Sequence, residues 1–373
     1  EAAKSRIYGK THGAPRPLPV CRLIVVMGPG CSPVLGRFTP GVREREGGNG
    51  LKLDPEKIER VLVIGLSCMG DMILSTAALW NLRRFLPDAH FTILAGPVAL
   101  PVLERDPLWD KVEEYRREKG LRGRLASVGT IRSYPHDLLV DLRSSAMPLF
   151  SGARYRPFWG LRELFLPQKM HEVERNIWCM TTLGVPVYGR RLRFFIPPQS
   201  REEACRLMAS RWKDRPWVLL NPGTPGKYKT WPLENFIELG LRVVDSFCIN
   251  LGVTGYYGAE REAAAKICEA IGEERCGNFS GDRHVTTLGA LIERSVLFVS
   301  NDTGPLHLAC AVGTPVVGLY LPKNLARFGP WGTRHSCVAA GRNGGNEPMR
   351  TIKVDEVFKS SVEMLQSVGV FAR

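Results

Sequence analysis

The sequence predicts an α/β protein of two doubly wound, Rossmann-like domains facing a central cleft. Three observations predict it. Short, largely apolar runs recur at Val61–Leu66, Phe91–Gly96, Asp137–Leu142, Trp217–Asn221, Cys248–Thr254 and Ser295–Ser300, which suits strands buried on both faces of a parallel sheet. Stretches with apolar residues at helical spacing lie between them, so strand and helix alternate. The alternation breaks once, after Ile196–Pro198, where the chain turns polar, leaving two segments of ordinary domain size.

Residues 1–57 are a basic extension rich in Gly, Pro and Arg, expected to be irregular. Its apolar run Cys21–Met27 is far too short for a membrane span. The chain begins at Glu1 rather than Met, so an upstream segment stays open. The first domain, residues 58–198, starts with strand Val61–Leu66 and the turn Ser67–Asp71 (SCMGD). A helix over Asp71–Leu86 follows, with Ile73, Leu74, Ala77, Ala78, Leu82 and Phe85 at helical spacing and Pro87 as its stop. Strand Phe91–Gly96, a helix over Pro97–Asp106 and strands Val112–Tyr115 and Asp137–Leu142 complete it. Ligands of such sheets collect at the carboxyl ends of strands. Ser67, Met69, Gly70 and Asp141 therefore belong to the acceptor side of the cleft.

Residues 199–215 read as a linker region, with a helix over Glu202–Trp212. The second domain, residues 216–373, opens with strand Trp217–Asn221 and the loop Pro222–Thr230 (PGTPGKYKT). A helix over Leu233–Ser246, strand Cys248–Thr254 and a helix over Arg261–Ile271 follow, and a last helix, Val354–Val368, can cover either domain. The second domain turns on Val299–Leu308 (VSNDTGPLHL). Asn301, Asp302 and Thr303 are capping residue types, Gly304 permits the turn, and Pro305 suits a first helical turn. Free N–H groups at such a helix start attract anions, phosphate above all, although an ordinary capped helix has the same pattern.

Hydrophobic content of 44% and 24% charged residues describe a globular protein, and a formal charge of +14 suits an anionic partner. Basic runs at Arg116–Arg124, Arg154–Lys169 and Arg190–Arg193, with Tyr155, Phe158 and Trp159 interleaved, read either as a solvated surface or as a funnel for a phosphorylated or membrane-embedded acceptor. No RNP, helix-turn-helix or zinc-finger pattern accompanies them, which disfavours nucleic acid. The ten cysteines form no CxxC pair and no zinc spacing; Cys68, Cys179, Cys248 and Cys310 are expected to be small core residues in a reducing cytosol. No GxxxxGK[ST], GxGxxG or Asp-x-Asp motif occurs, which disfavours P-loop nucleotidases, nicotinamide dehydrogenases and metal-dependent GT-A transferases.

Three blocks, SCMGDMILSTAALWNLRRFLPDA from Ser67, NPGTPGKYKTWPLENF from Asn221 and VSNDTGPLHLACAVGTPVVGLYLPKNLARFGPWG from Val299, together resemble glycosyltransferase family 9, the bacterial ADP-heptose:lipopolysaccharide heptosyltransferases. The resemblance runs from about Arg60 to Val338. It implies a GT-B fold and inverting transfer of heptose from ADP-heptose to a lipopolysaccharide core (lipid A-linked) acceptor, with no metal and no further cofactor. By the resemblance Asp71 is the catalytic base and Lys229 contacts the diphosphate, with Lys227 a rival. Thr224, Thr303 and Gly304 assist at the diphosphate, and Asp302 caps the helix or touches the sugar. His307 reaches phosphate or sugar or is a core histidine, and Glu262 binds the ribose, with Glu260 a competitor. A helix start favours the ionised carboxylate of Asp71 and lowers its basicity; as plain structure, Asp71 is an N-cap. Gly65 stands where many members carry Lys or Arg, so that basic contact is lost or comes from elsewhere. The expected setting is the cytoplasmic side of the bacterial inner membrane, bound peripherally to its anionic surface, with no nucleic-acid partner. The alternatives are a GT-B enzyme using another nucleotide sugar and a non-catalytic relative.

Overall fold

The computed structural model describes residues 24–26, 53–116, 120–157, 159, 166–167, 170–209, 215–224, 226–341 and 345–372. Most of the N-terminal extension, parts of the basic runs Arg116–Arg124 and Arg154–Lys169 (Phe158 among them), Trp212 and the side chain of Lys227 lie outside the described residues.

Strand β1 (Ile24–Val26) is followed by β2 (Arg60–Ile64), α1 (Met69–Phe85), β3 (His90–Ala95), β4 (Lys111–Glu114), α2 (Gly120–Ser133), β5 (Leu138–Asp141), α3 (Met147–Phe150) and α4 (Glu172–Thr181). Then come α5 (Pro198–Ala209), β6 (Trp217–Asn221), α6 (Leu233–Ser246), β7 (Asn250–Val253), α7 (Gly258–Ile271), β8 (Cys276–Asn278), α8 (Val285–Arg294), β9 (Leu297–Asn301), α9 (Gly304–Val312), β10 (Val316–Tyr320), α10 (Pro322–Phe328), β11 (His335–Ala339) and α11 (Val354–Ser367). Two sheets result: a four-stranded one, β4-β3-β2-β5, and a seven-stranded one, β1-β11-β10-β9-β6-β7-β8. Every pairing is parallel.

Three expectations change. The extension predicted to be irregular supplies β1, which pairs with β11 at the edge of the second sheet. The helix expected over Pro97–Asp106 is only a 3₁₀ turn at Leu100–Val102; Pro101 lacks the N–H that an α-helix needs. Cys68 and Cys248 are exposed, because both sit in turns, whereas Cys179 and Cys310 are buried as expected. The helix expected in the linker region is present as α5, fastened to α8 by Ser200 Oγ to Thr286 Oγ1 at 2.7 Å, Arg201 to Glu293 at 3.0 Å and Thr287 Oγ1 to Glu203 at 2.7 Å. The last helix, α11, covers the second sheet, with Val357, Met364 and Leu365 in that core. No described helix is long and apolar enough to cross a membrane.

Helix α1 fixes the first half of the cleft. It is buried on nearly every side, by Met72, Ile73, Leu74, Ala77, Ala78, Leu79 and Leu82, so its polar residues need internal partners. Ser75 Oγ donates to Met72 O at 2.8 Å, and Thr76 Oγ1 to Ile73 O at 2.6 Å. Asn81 Nδ2 donates to Ala77 O and Gly189 O, both at 2.8 Å, and Asn81 Oδ1 accepts from the Tyr188 and Gly189 N–H groups. A central helix clamped in this way holds the residues of its first turn in one place.

Candidate active site

The site forms where two helix starts meet. The turn after β2 delivers α1, and the turn after β9 delivers α9. Their N-caps, Cys68 and Thr303, make no side-chain capping bond, so the first-turn N–H groups keep their capacity for an anion. The two starts touch through glycines. A Cβ on Gly304 would lie 2.4 Å from Met69 Cε and 3.3 Å from Gly70 N, and one on Gly70 would lie 2.9 Å from His307 Cδ2 and 3.4 Å from Gly304 Cα. A larger residue at either position would crowd the facing helix start or force Met69 or His307 to move. Two positive dipole ends therefore point into the same space from opposite domains.

The second-domain loops around this point are tied by buried amides. Asn221 Nδ2 donates to Ser300 Oγ at 2.9 Å and Thr303 Oγ1 at 3.3 Å. Asn301 Nδ2 donates to Pro222 O at 2.9 Å, while its Oδ1 accepts from Trp231 N at 3.1 Å. Trp231 is itself buried, its Nε1 bonded to Ile352 O at 3.0 Å. Asn301, Asp302 and Thr303 therefore do not cap the helix with their side chains, as their residue types suggested. They lash the β9 turn to the β6 loop or, in the case of Asp302, hold a cation: Lys229 Nζ lies 3.3 Å and Asn324 Nδ2 2.7 Å from Asp302 Oδ2. Thr224 Oγ1 and His307 Nδ1 are buried without a hydrogen-bond partner among the described residues, a costly condition that a substrate oxygen or hydroxyl would relieve. His307 is 4% exposed. Burial pushes its pKa down to about 4, with nearby His171 and Lys229 acting in the same direction and Asp302 against, so the ring is neutral at neutral pH.

Asp71 is the third residue of α1, not its N-cap. Burial raises its pKa first, and the charge of Glu172 adds to this; Arg327 opposes, Asp302 raises and Lys229 lowers. Desolvation and the charge of Glu172 therefore act against the lowered basicity expected from the helix start. Glu172 belongs to α4 and Arg327 to α10, and they meet across the domain boundary: Arg327 Nε lies 2.7 Å and Arg175 Nε 3.6 Å from Glu172 Oε2. Beside them His171 caps α4. Its Nδ1 accepts from Val173 N at 3.2 Å, so Nε2 carries the proton and donates to Gly329 O at 3.0 Å. The ring stacks on Trp331 at 4.5 Å, and Trp331 Nε1 donates to Arg190 O at 2.8 Å. This cross-domain cluster escaped the sequence reading. Its signal was the segment HEVER from His171, a capping residue followed by charges, which lies outside the three blocks.

On the acceptor side Ser67 is exposed, and Met69 and Gly70 form the helix contact already described. Asp141 is buried, and its carboxylate is consumed by its own loop: it accepts from Arg143 N at 3.0 Å, Ser145 N at 2.9 Å and Ser145 Oγ. It shapes the loop rather than facing the cleft with a free oxygen. A Cβ on Gly65 would lie 2.6 Å from Met72 Cε and 3.1 Å from Leu94 O, so a side chain there would have to displace Met72 and crowd the neighbouring strand. A guanidinium reaches the place from another strand end instead, Arg143 Nε donating to Gly65 O at 2.7 Å. Glu262 is exposed on α7. Glu260 faces the central loop, its carboxylate accepting from Tyr256 N at 2.7 Å and lying so near Gly223 that a Cβ there would come within 2.4 Å of Glu260 Cδ.

Among the described residues no group of three or more His, Cys, Asp or Glu side chains is placed to hold a metal. The cluster can take a proton at Asp71 and hold negative charge at Lys229 and the start of α9. The solved glycosyltransferase family 9 structure from Veillonella parvula has this fold, with a TM-score of 0.70 at 21% identity over 86% of this chain and all of that one (100%). ADP-heptose LPS heptosyltransferase II of Escherichia coli gives a TM-score of 0.66 at 22% identity over 83% of this chain and 99% of that one. In sequence, lipopolysaccharide heptosyltransferase 3 of Escherichia coli is 24% identical over 291 residues, 70% of this chain and 83% of that protein. The family model for glycosyltransferase family 9 (heptosyltransferase) matches residues 157–356, and the chain is a GT-B glycosyltransferase of that family.

Proposed function

We propose that the chain is an inverting heptosyltransferase that moves heptose from ADP-heptose to a lipopolysaccharide core acceptor. An acceptor hydroxyl attacks the anomeric carbon from the face opposite the diphosphate, and Asp71 takes its proton. The bond to the diphosphate oxygen breaks, and ADP leaves with the displaced electron pair. Lys229 and the N–H groups at Thr303 and Gly304 meet the growing charge, where fixed donors act most strongly. Thr224 and His307 line the same space, and Glu260 or Glu262 takes the ribose. The observation that carries the reading is the meeting of two uncapped helix starts with a half-buried carboxylate on one side and Lys229 on the other. The raised proton affinity of Asp71 suits a base working near neutral pH. The likeness to a protein named for ADP-heptose supports the donor.

Leaving-group charge handled by Lys229 and helix N–H groups requires no divalent ion, so activity should persist in excess EDTA; loss that Mg²⁺ restores would contradict this. The +14 charge favours peripheral attachment to the anionic cytoplasmic face of the inner membrane. Titration calorimetry with ADP-, UDP- and GDP-sugars tests the donor. Tight binding of ADP-heptose alone is expected, and preference for a uridine or guanosine donor would replace the reading with transfer of another sugar.

A further inference from the structure

We propose that the outer face of α2 and α3 is the surface by which this protein docks on an anionic lipid bilayer. The inference rests on the proposed lipid-linked acceptor and names the part of the molecule that meets the membrane. Three large apolar side chains stand out here: Leu125 is 65%, Leu149 50% and Phe150 52% exposed. They are not core residues out of place, because both helices already have an inward anchor. Ile131 of α2 is buried in the cluster with Leu62, Ile64, Leu94 and Leu139, and Met147 of α3 packs on that cluster. Leu125, Leu149 and Phe150 point away from it.

The three side chains form one surface. On α2, Arg122, Leu125, Gly129 and Arg132 are all exposed and fall at helical spacing on one stripe. The stripe is joined to α3 where Arg132 Nε donates to Phe150 O at 2.8 Å. The charge within the segment is predominantly positive, although Asp54 lies near Arg154 and Glu113 accepts from Tyr134 at its edge. Residues 120–157 carry six arginines and no lysine or glutamate, against two aspartates. Both aspartates are engaged internally: Asp137 accepts from the Glu59 and Arg60 N–H groups, and Asp141 holds its own loop. Arg122, Arg124, Arg132, Arg154 and Arg156 are exposed.

Apolar tips that share a face with Arg122 and Arg132 match a bilayer surface: the tips reach the acyl boundary while the guanidinium groups stay among anionic headgroups. A second copy of the chain fits poorly, since copies carrying +14 repel and three side chains fall well short of the ~800 Å² per partner of a stable interface. The position also serves the reaction. Strand β5 ends at Asp141, its loop sends Arg143 to Gly65, and the chain runs directly into α3. The docking face therefore adjoins the acceptor side of the cleft, so that a membrane-anchored sugar need not leave the surface to reach Asp71.

The test is flotation of the full chain with vesicles of phosphatidylethanolamine and phosphatidylglycerol that contain no lipopolysaccharide, so that binding reports the lipid surface and not the acceptor pocket. The unaltered protein should float with these vesicles at low salt, less at high salt, and little with phosphatidylcholine alone. The combined variant Leu125→Ser, Leu149→Ser, Phe150→Ser should bind at least about tenfold more weakly, and Arg122→Glu with Arg124→Glu should weaken binding further. ADP affinity should stay unchanged in both, which shows that they are folded. Phe150→Trp should give a blue-shifted emission on vesicle binding. The proposal is overturned if the unaltered protein ignores anionic vesicles at low salt, or if the serine variant floats equally well. It is also overturned if the serine substitutions abolish a dimer instead. Vesicle binding that follows these expectations while ADP-heptose is not turned over would support the surface and reject the proposed reaction.

Discussion

The two sides of the cleft are built by different means. The second-domain side is held by buried amides: Asn221 and Asn301 fasten the β6 loop, the β9 turn and Trp231 through bonds between 2.9 and 3.3 Å, leaving Lys229 and Asp302 a fixed frame. The first-domain side has one rigid element, α1. Around it are an exposed Ser67, a loop shaped by Asp141, and arginines facing outward. The lesson is a division of labour. A nucleoside diphosphate has fixed geometry and rewards a preorganised cradle, whereas the proposed lipid-linked acceptor would need a placed base and an approach.

The largest test of that contrast is Gly70→Val. Its side chain would meet His307 Cδ2 and Gly304 Cα and should push the helix starts apart. The tied side should hold its shape, so ADP affinity should stay within about threefold. Asp71, the proposed base, displaced by the order of 1 Å, should lose about 100-fold in kcat. Equal loss of ADP binding would show that the second-domain side is not the stiffer one.

Lys229→Ala probes the other side. Removing a charge-assisted contact costs about 1.5–3 kcal/mol, or roughly 10–150-fold in affinity, and the contact exists before the bond breaks. ADP affinity and rate should therefore fall together. Calorimetry with ADP showing an unchanged Kd would move the diphosphate contact to another residue.

Glu172→Gln addresses the seam and should have a smaller effect. The Glu172 charge helps raise the pKa of Asp71, and Arg327 opposes it. Without that charge, and with Arg327 released from its ion pair, Asp71 gives up its proton more readily. The acid limb of the kcat/KM profile should then move to lower pH, with ADP affinity nearly unchanged. A limb that stays in place would confine Glu172 to holding the domains together.

Much of this was legible in the sequence. Parallel strands announced themselves as apolar runs, and the turns carrying Asp71, Lys229 and Asp302 followed from where those runs end. What stayed hidden depends on contacts distant in the chain. Nothing local to Asp71 reveals that Glu172 and Arg327 face it, so its basicity was judged from the helix dipole alone. Asn301 has the composition of a cap, and only the spatial neighbourhood of Pro222 and Trp231 turns it into a clamp. For Gly65 the sequence left open whether the basic contact was lost or supplied elsewhere; Arg143 arrives there from another strand end. The Pro97–Asp106 stretch failed for a local reason, Pro101, that periodicity overlooks.

The most direct test of the account is the variant Asp71→Asn, with its single-turnover rate and its Kd for ADP measured side by side. The amide keeps size and polarity but cannot accept the acceptor's proton. The rate should fall ~10²–10⁴-fold while ADP affinity stays the same. A second reading comes from stability. The pKa of Asp71 is raised from 3.8 in the folded protein, so the folded state binds protons more tightly than the unfolded chain, and keeping the ionised group buried destabilises the protein at pH values above its folded pKa. The variant should therefore melt at a higher temperature than the parent at neutral pH, and the advantage should vanish below the ordinary carboxylate range. Turnover near the parental rate would contradict the account, leaving Asp71 a structural residue of the α1 start and the base elsewhere in the cleft.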